Sequence, residues 1–293
     1  MPSNLSHFVV AGTGYTGLRV LNALPADRTL GMSRAPVASS KREIRTVDLD
    51  ASSTQEIPLP DYCRLLYSVP PAPDSKEDKR LASFLARIQP APLRIVYLST
   101  SGVYGDRGGE LTRESAPVNP CTERARRRLA AEQLLVQWCQ HATCELMVLR
   151  VPGIYGPGRL GLEQLKNGAP VIREADAGPG NRIHVDDLVT CCIAAMTNAA
   201  PPGIYNIADG DGRSNSWFRR TVAALAGLPA PKEISFAEAE RSWSETRLSF
   251  LRESRQLDTE KLRSVLKVQL RYTNAEEGIR ASLAEECDQR NSG

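Results

Sequence analysis

Phe8-Val9-Val10-Ala11-Gly12-Thr13-Gly14-Tyr15-Thr16-Gly17 decides how this chain is read. Four apolar residues run into a G-x-G-x-x-G loop, and Leu18, Leu21 and Leu24 follow at helical spacing, so the stretch predicts strand, tight turn and helix. Each glycine has its own task. Gly12 lets the chain turn sharply, Gly14 admits a pyrophosphate close to the backbone, and Gly17 lets the helix close on the strand. Amides at the new helix N-terminus then hold the phosphates. Gly12, Thr13, Gly14, Tyr15, Thr16 and Gly17 are therefore candidate dinucleotide-binding residues.

Outward from this loop, apolar segments alternate with helical ones. Strands are expected at His7 to Ala11, Thr29 to Met32, Ile44 to Val47, Arg64 to Ser68, Arg94 to Leu98, Leu146 to Arg150 and Ile204 to Ile207. Helices are expected at Tyr15 to Leu24, Lys76 to Ile88, Thr122 to Gln140, Asp187 to Thr197, Trp217 to Ala226 and Ala275 to Glu286, with a frayed end from Asp288. Such alternation predicts an α/β, doubly wound parallel sheet of Rossmann type with helices on both faces. At 293 residues the chain exceeds one typical core. Residues 1–151 and 184–208 are assigned to the dinucleotide-binding domain, and 152–183 with 209–293 to a smaller C-terminal substrate lobe.

Composition narrows the function classes. A formal charge of +3 gives no reason to expect nucleic acid or an anionic membrane surface as partner. The absence of a long apolar run and of a basic leader, with seven cysteines and no C-x-x-C pair, predicts a cytoplasmic protein with reduced thiols. Only His7, His141 and His184 are present, far apart in sequence, so no metal site is expected.

Three further blocks follow the glycine loop: Val96-Tyr97-Leu98-Ser99-Thr100-Ser101-Gly102-Val103-Tyr104-Gly105-Asp106, then Leu149-Arg150-Val151-Pro152-Gly153-Ile154-Tyr155-Gly156-Pro157-Gly158, then Arg182-Ile183-His184-Val185-Asp186-Asp187-Leu188 with Gly203-Ile204-Tyr205-Asn206-Ile207-Ala208. With these in order, the chain resembles the extended short-chain dehydrogenase/reductase family, the NAD-dependent epimerase/dehydratases. The resemblance implies a Rossmann domain, a bound nicotinamide dinucleotide, a small-molecule substrate that is often a nucleotide sugar, and pairing through long helices into a homodimer. Ala11 stands where the family's G-x-x-G-x-x-G form has its first glycine, and alanine is small enough for the turn.

Cofactor choice turns on the end of the second strand, where an acidic side chain would bind the ribose hydroxyls of NAD. Here that strand ends Met32-Ser33-Arg34, with Lys41 and Arg42 next, so a hydroxyl and a guanidinium are available to a 2′-phosphate. NADP(H) is the favoured cofactor and NAD(H) the alternative. By resemblance Asp48 approaches the adenine, Ser68, Val69 and Pro70 border the ribose and pyrophosphate, and Pro152 completes the cofactor-binding set.

The active-site helix departs from the family pattern. Where Tyr-x-x-x-Lys is expected the chain reads Thr122-Glu123-Arg124-Ala125-Arg126-Arg127-Arg128, and none of its eight tyrosines is followed by lysine at the fourth position. A guanidinium stays protonated, so Arg124 is no general base. The i, i+4 spacing places Arg124 and Arg128 on one helical face, where Arg128 is expected to hold a cofactor ribose and Arg124 an anionic substrate, or the arginine run is a solvated surface. Thr100 matches the hydroxyl that orients a substrate oxygen. Tyr104, Cys121 and Glu123 are the proton-transfer candidates near it, with Tyr104 otherwise a packed aromatic. Asp186 or Asp187 is expected to cap a helix with His184 packed beneath, and Arg182 to reach an anionic substrate. Three functions stay open: an NADP-dependent epimerase- or reductase-like enzyme with an atypical site, a catalytically silent NADP(H) sensor, and a scaffold without cofactor.

Overall fold

The computed structural model describes residues 6–37, 42–73 and 75–291, which leaves Lys41 outside. Seven parallel strands form its centre: β1 (Phe8–Ala11), β2 (Thr29–Ser33), β3 (Glu43–Thr46), β4 (Arg64–Tyr67), β5 (Arg94–Thr100), β6 (Glu145–Val151) and β7 (Gly203–Asn206), in the order β7-β6-β5-β4-β1-β2-β3. The order reverses beside β1, whose two neighbours are β2 and β4. In open α/β sheets such a switch point is where a crevice forms beyond the strand ends. The glycine loop lies there.

Alternation along each strand divides the core. Phe8 and Val10 of β1 join Leu66, Val96, Leu98, Met147 and Leu149 on one face, against α1 (Tyr15–Ala23) and a later helix rich in Leu188, Cys192 and Ala195. Val9 and Ala11 join Leu65, Tyr67, Ile95, Tyr97 and Val148 on the other, against α2 (Lys79–Arg87) and α3 (Glu123–Ala142). Both faces are covered, which is why the strands carry near-continuous apolar runs.

All seven predicted strands are present, with ends displaced by at most two residues. Helix starts differ more, because side-chain caps set them. Asp78 caps α2 by accepting from Leu81 N at 3.0 Å, so the helix begins at Lys79, three residues after the predicted start. The helix after His184, α4 (Val185–Thr197), begins two residues early because His184 is its N-cap. Asp187 does not cap that helix: its carboxylate accepts from Arg271 N and Tyr272 N at 2.7 and 2.9 Å, tying down the C-terminal segment. The last helix, α6 (Ala275–Asn291), runs past Asp288 instead of fraying there, and α5 (Asn215–Leu225) precedes it.

Outside the sheet, Gly153–Tyr155 pairs with Arg182–His184, and Val171–Ile172 with Glu233–Ile234, all in parallel. These segments have small cores of their own: Tyr155, Leu160, Leu165, Phe218, Val222 and Ile279 in one, and Ile172, Ile234, Ala239 and Leu248 in the other. Leu262, Leu266 and Val268 instead join the core beneath the main sheet.

Candidate functional site

The cradle is built by close approach. Gly12 has φ +96°, and a β-carbon on it would stand 2.8 Å from Ser68 Oγ and 3.0 Å from Val69 N. A β-carbon on Gly17 would stand 1.8 Å from the Gly12 carbonyl oxygen, so α1 sits directly on the turn. Gly14, in contrast, has nothing within 4 Å of its β-carbon position. It faces open space at the α1 N-terminus, where no side chain caps the amides and no acidic residue occupies the first turn. Thr13 Oγ1 is buried without a hydrogen-bond partner among the described residues. Ser68 Oγ donates to the carbonyls of Gly12 and Ala11 at 2.8 and 3.2 Å, bracing the loop from β4. Free amides, an orphaned hydroxyl and an open glycine fit a pyrophosphate.

Tyr15 is held rather than free. Its hydroxyl donates to Pro157 O at 2.9 Å, and its ring lies between Arg19 and Arg159, whose guanidinium carbons are 4.2 and 3.9 Å from the centroid. Thr16 is buried in α1. At the β2 end, Arg34 is paired with Asp50 at 3.3 Å, and Arg80 grips the same carboxylate at 2.5 and 2.7 Å. These bonds hold the Asp50 carboxyl below its usual range, with the Arg80 hydrogen bond the largest cause. Sequence reading found no acid at the strand end, and the fold supplies one from beyond β3. Arg42 donates to Asn22 O at 2.6 Å, away from Arg34. Asp48 is exposed and accepts from Asp50 N at 2.8 Å, so it shapes the turn that carries Asp50. Pro70 O accepts from Arg80 at 3.1 Å.

Arg159, which covers the Tyr15 ring of the cradle, also lines a cleft of about 810 Å³ that Thr100, Arg124, Pro152 and Tyr155 help to form. Thr100 ends β5, and its Oγ1 accepts from Gly102 N at 3.2 Å to start a 3-10 turn, Ser101–Tyr104. Gly102 lies against Ala125, with 3.5 Å between that methyl and the glycine's β-carbon position, which brings Thr100 and the start of α3 together.

Several predicted residues are placed elsewhere. Tyr104 does not reach the cleft: it is fully buried, donates to Asn206 Oδ1 at 2.7 Å and lies beneath Arg150, and burial raises its pKa. Arg128 turns toward the sheet, donating to Leu98 O at 3.0 Å and Tyr97 Oη at 3.1 Å. Cys121 donates to its neighbour Asn119 O, and Glu123 pairs with Arg126 at the surface. His184 is structural. Its Nδ1 accepts from Asp186 N at 3.2 Å, so Nε2 carries the proton toward Ser282 Oγ at 3.1 Å, and burial lowers its pKa. Arg182 does line the cleft, but backbone carbonyls of Arg213 and Ser214 and the Asp211 carboxylate hold it.

The second lobe contributes what the motifs missed. Arg159, Arg219, Arg247, Glu253 and Arg255 all line the cleft. Among the described residues its walls carry six arginines (124, 159, 182, 219, 247 and 255) and two acids, Asp176 and Glu253. Arg219 has no hydrogen bond to any described residue, its Nε is buried, and burial alone lowers its pKa. Arg247 stacks on Trp243, 3.3 Å from the ring centroid, donates to Pro170 O at 2.9 Å, and has its pKa lowered by burial and by the Arg219 charge. No local spacing in the sequence announces these residues, because α5 and the segment from Trp243 to Arg255 meet only in the folded chain.

A parallel sheet with its switch point at an open glycine cradle, together with an arginine-rich cleft, defines a Rossmann-type α/β protein. Residues 78–208 match the model of the NAD-dependent epimerase/dehydratase family. The chain is similar along nearly all its length to a conserved protein of unknown function from Silicibacter pomeroyi, with 30% identity, 96% of this chain and 99% of that one covered, and a TM-score of 0.78. MoeE5, solved with UDP-glucose and NAD, has the same fold at 20% identity and TM-score 0.76, covering 98% and 100% of the two chains. An uncharacterized protein of Sinorhizobium fredii, y4nG, is 32% identical over 126 residues, which is 39% of this chain but only 30% of that protein's length.

Proposed function

We propose that this protein is a nicotinamide-dinucleotide-dependent oxidoreductase of the epimerase/dehydratase type, NADP(H)-preferring, acting on a phosphate-bearing small molecule such as a nucleotide sugar. The observation that carries the reading is an open glycine cradle joined, through Arg159 over the Tyr15 ring, to a cleft whose arginines outnumber its acids. Gly12 to Gly17 hold the pyrophosphate at the α1 amides, and Ser68, Val69 and Pro70 border it. Arg34 carries the preference for a 2′-phosphate. Arg80 already neutralises Asp50, and the Arg34 side chain, 71% exposed, is free to leave that carboxylate for a dianion. When bound, the nicotinamide supplies a reversible hydride acceptor.

On the substrate side, Thr100 orients a substrate oxygen at the end of β5. Arg219 and Arg247 both line the cleft with guanidiniums whose charge burial disfavours, and a phosphate there offsets that cost. Arg124 adds charge near Thr100 but exchanges no proton. Titrations of UDP into wild type and Arg219→Ala, each saturated with NADPH, test this reading. Saturable binding that weakens strongly in the variant is the expected result, and equal binding to both removes the phosphate site.

A second reading is favoured by one observation, arginine at both positions of the family's tyrosine and lysine. On it, the protein binds NADP(H) as a silent sensor. Turnover of a nucleotide sugar by wild type decides against it.

A further inference from the structure

Glu253-Ser254-Arg255 enters the cleft from the second lobe and is fixed there by backbone bonds. Arg107 N and Gly109 N donate to Ser254 O, and Ser254 N donates to Asp106 Oδ1 at 2.9 Å. Arg255 donates to Gly105 O at 2.5 Å, and its own carbonyl accepts from Asn181 Nδ2 at 2.7 Å. The loop that provides most of these contacts is the continuation of the turn begun by Thr100. Glu253 is therefore tied to the same piece of chain as Thr100, although the two are far apart in sequence.

The Glu253 side chain is only 9% exposed. Both terminal nitrogens of Arg255 donate to one of its oxygens, Oε2, at 3.1 and 3.0 Å. The other oxygen, Oε1, is buried with no hydrogen-bond partner among the described residues, and Arg255 Nε is left in the same condition. A buried carboxylate oxygen without a donor costs about 1–3 kcal/mol or more, and such a cost persists where a ligand supplies the missing donor. Arg255 on the same segment pairs with it, Arg124 on α3 is close enough to interact with its charge, and Asp106 stands in the pinning loop.

We propose that Glu253 is the proton-transfer group of the cleft, with Oε1 receiving the hydroxyl proton of a substrate alcohol oriented by Thr100. The proposal rests on the oxidoreductase reading above. It assigns to the second lobe the task that α3 lacks, since Arg124 accepts no proton. In the oxidative direction the substrate O–H bond breaks and its proton goes to Oε1. The neighbouring C–H bond breaks with its electron pair leaving as hydride to the oxidised dinucleotide, and the C–O bond becomes C=O. The reverse sequence returns the hydride to carbon and the proton from Oε1 to oxygen, and restores the carboxylate. Arg255, clamping only Oε2, leaves Oε1 free to take up the proton.

Glu253→Gln keeps the size and the acceptor on Oε2 while removing the base, and Glu253→Asp keeps a shorter base. The variants are compared with wild type by NADPH titration, by UDP-glucose titration, and by kcat and its pH profile with UDP-glucose and UDP-glucuronic acid as probes. Unchanged affinities, a fall in kcat of at least about 100-fold in Glu253→Gln, loss of the acidic limb of the pH profile, and partial activity in Glu253→Asp are expected. Wild-type kcat and pH profile in Glu253→Gln overturn the proposal and leave the oxidoreductase reading intact. A wild type that binds NADPH and UDP-glucose yet turns over neither probe overturns the proposal in favour of the silent sensor. A wild type that binds no NADPH overturns the proposal together with the reading on which it rests.

Discussion

Gly17 lies so close to Gly12 that a β-carbon on the former would stand 1.8 Å from the carbonyl oxygen of the latter, whereas Gly14, between them, has open space on its free side. The two positions therefore respond to alanine in opposite ways. Gly17→Ala forces α1 off the turn and lowers stability by about 3 kcal/mol or more. Gly14→Ala leaves stability near wild type but obstructs the phosphates. Urea unfolding and NADPH titration of both variants separate the effects.

Arg34→Ala removes the guanidinium available to a 2′-phosphate. NADPH affinity is expected to fall about 10-fold, or ~1.4 kcal/mol, with NADH affinity unchanged. Fluorescence titration with both reduced cofactors measures this, and equal losses would show that Arg34 reads no phosphate.

Glu132 and Arg150 form a pair with side chains 6% and 4% exposed, bonded at 2.7 Å, and Ser99 donates to the same carboxylate. The pair fixes α3 against β5 and β6 and so positions Arg124 relative to Thr100. Glu132→Ala strands the guanidinium in the core and costs about 3–5 kcal/mol in chemical denaturation. Replacing both partners by methionine recovers much of that loss.

Asp209 supplies a pH signature. Burial pushes its carboxyl up to about 7 from 3.8, Arg182 opposing, and Oδ2 has no hydrogen-bond partner among the described residues. An acid whose pKa is higher in the folded state binds more protons there, so its burden is absent below the unfolded pKa and grows as pH rises to the folded value. Wild type is expected to lose stability relative to Asp209→Asn between about pH 4 and pH 7, by on the order of 2–4 kcal/mol at completion. Melting temperatures of the two proteins across that range check the trend, and a constant difference contradicts it.

The sheet was legible because a fully covered parallel strand must be apolar on both faces, and its four to seven residues stand out between polar turns. The glycine cradle was legible because its geometry depends on residues adjacent in sequence. Thr100 followed from its place at a strand end. Tyr104 stood open between the cleft and a packed turn, because a hydroxyl beside the site gives no sign of whether it faces the cleft or Asn206, and the packed alternative is the one realised. His184 was correctly read as structural, but its place as the helix cap was not, since imidazole seldom takes the position that Asp186 or Asp187 would fill. Arg219, Arg247 and Glu253 were not legible, because their place in the cleft comes from contacts made only in the folded chain and, for Arg219 and Glu253, from buried atoms left unpaired among the described residues.

Equilibrium titration of the wild-type protein with NADPH, with Gly14→Ala measured in parallel, tests the central claim most directly. The account predicts saturable one-to-one binding to wild type, tighter than for NADH, and its loss in a Gly14→Ala protein that melts like wild type. Saturable binding of neither reduced cofactor, or undiminished binding by Gly14→Ala, would contradict it.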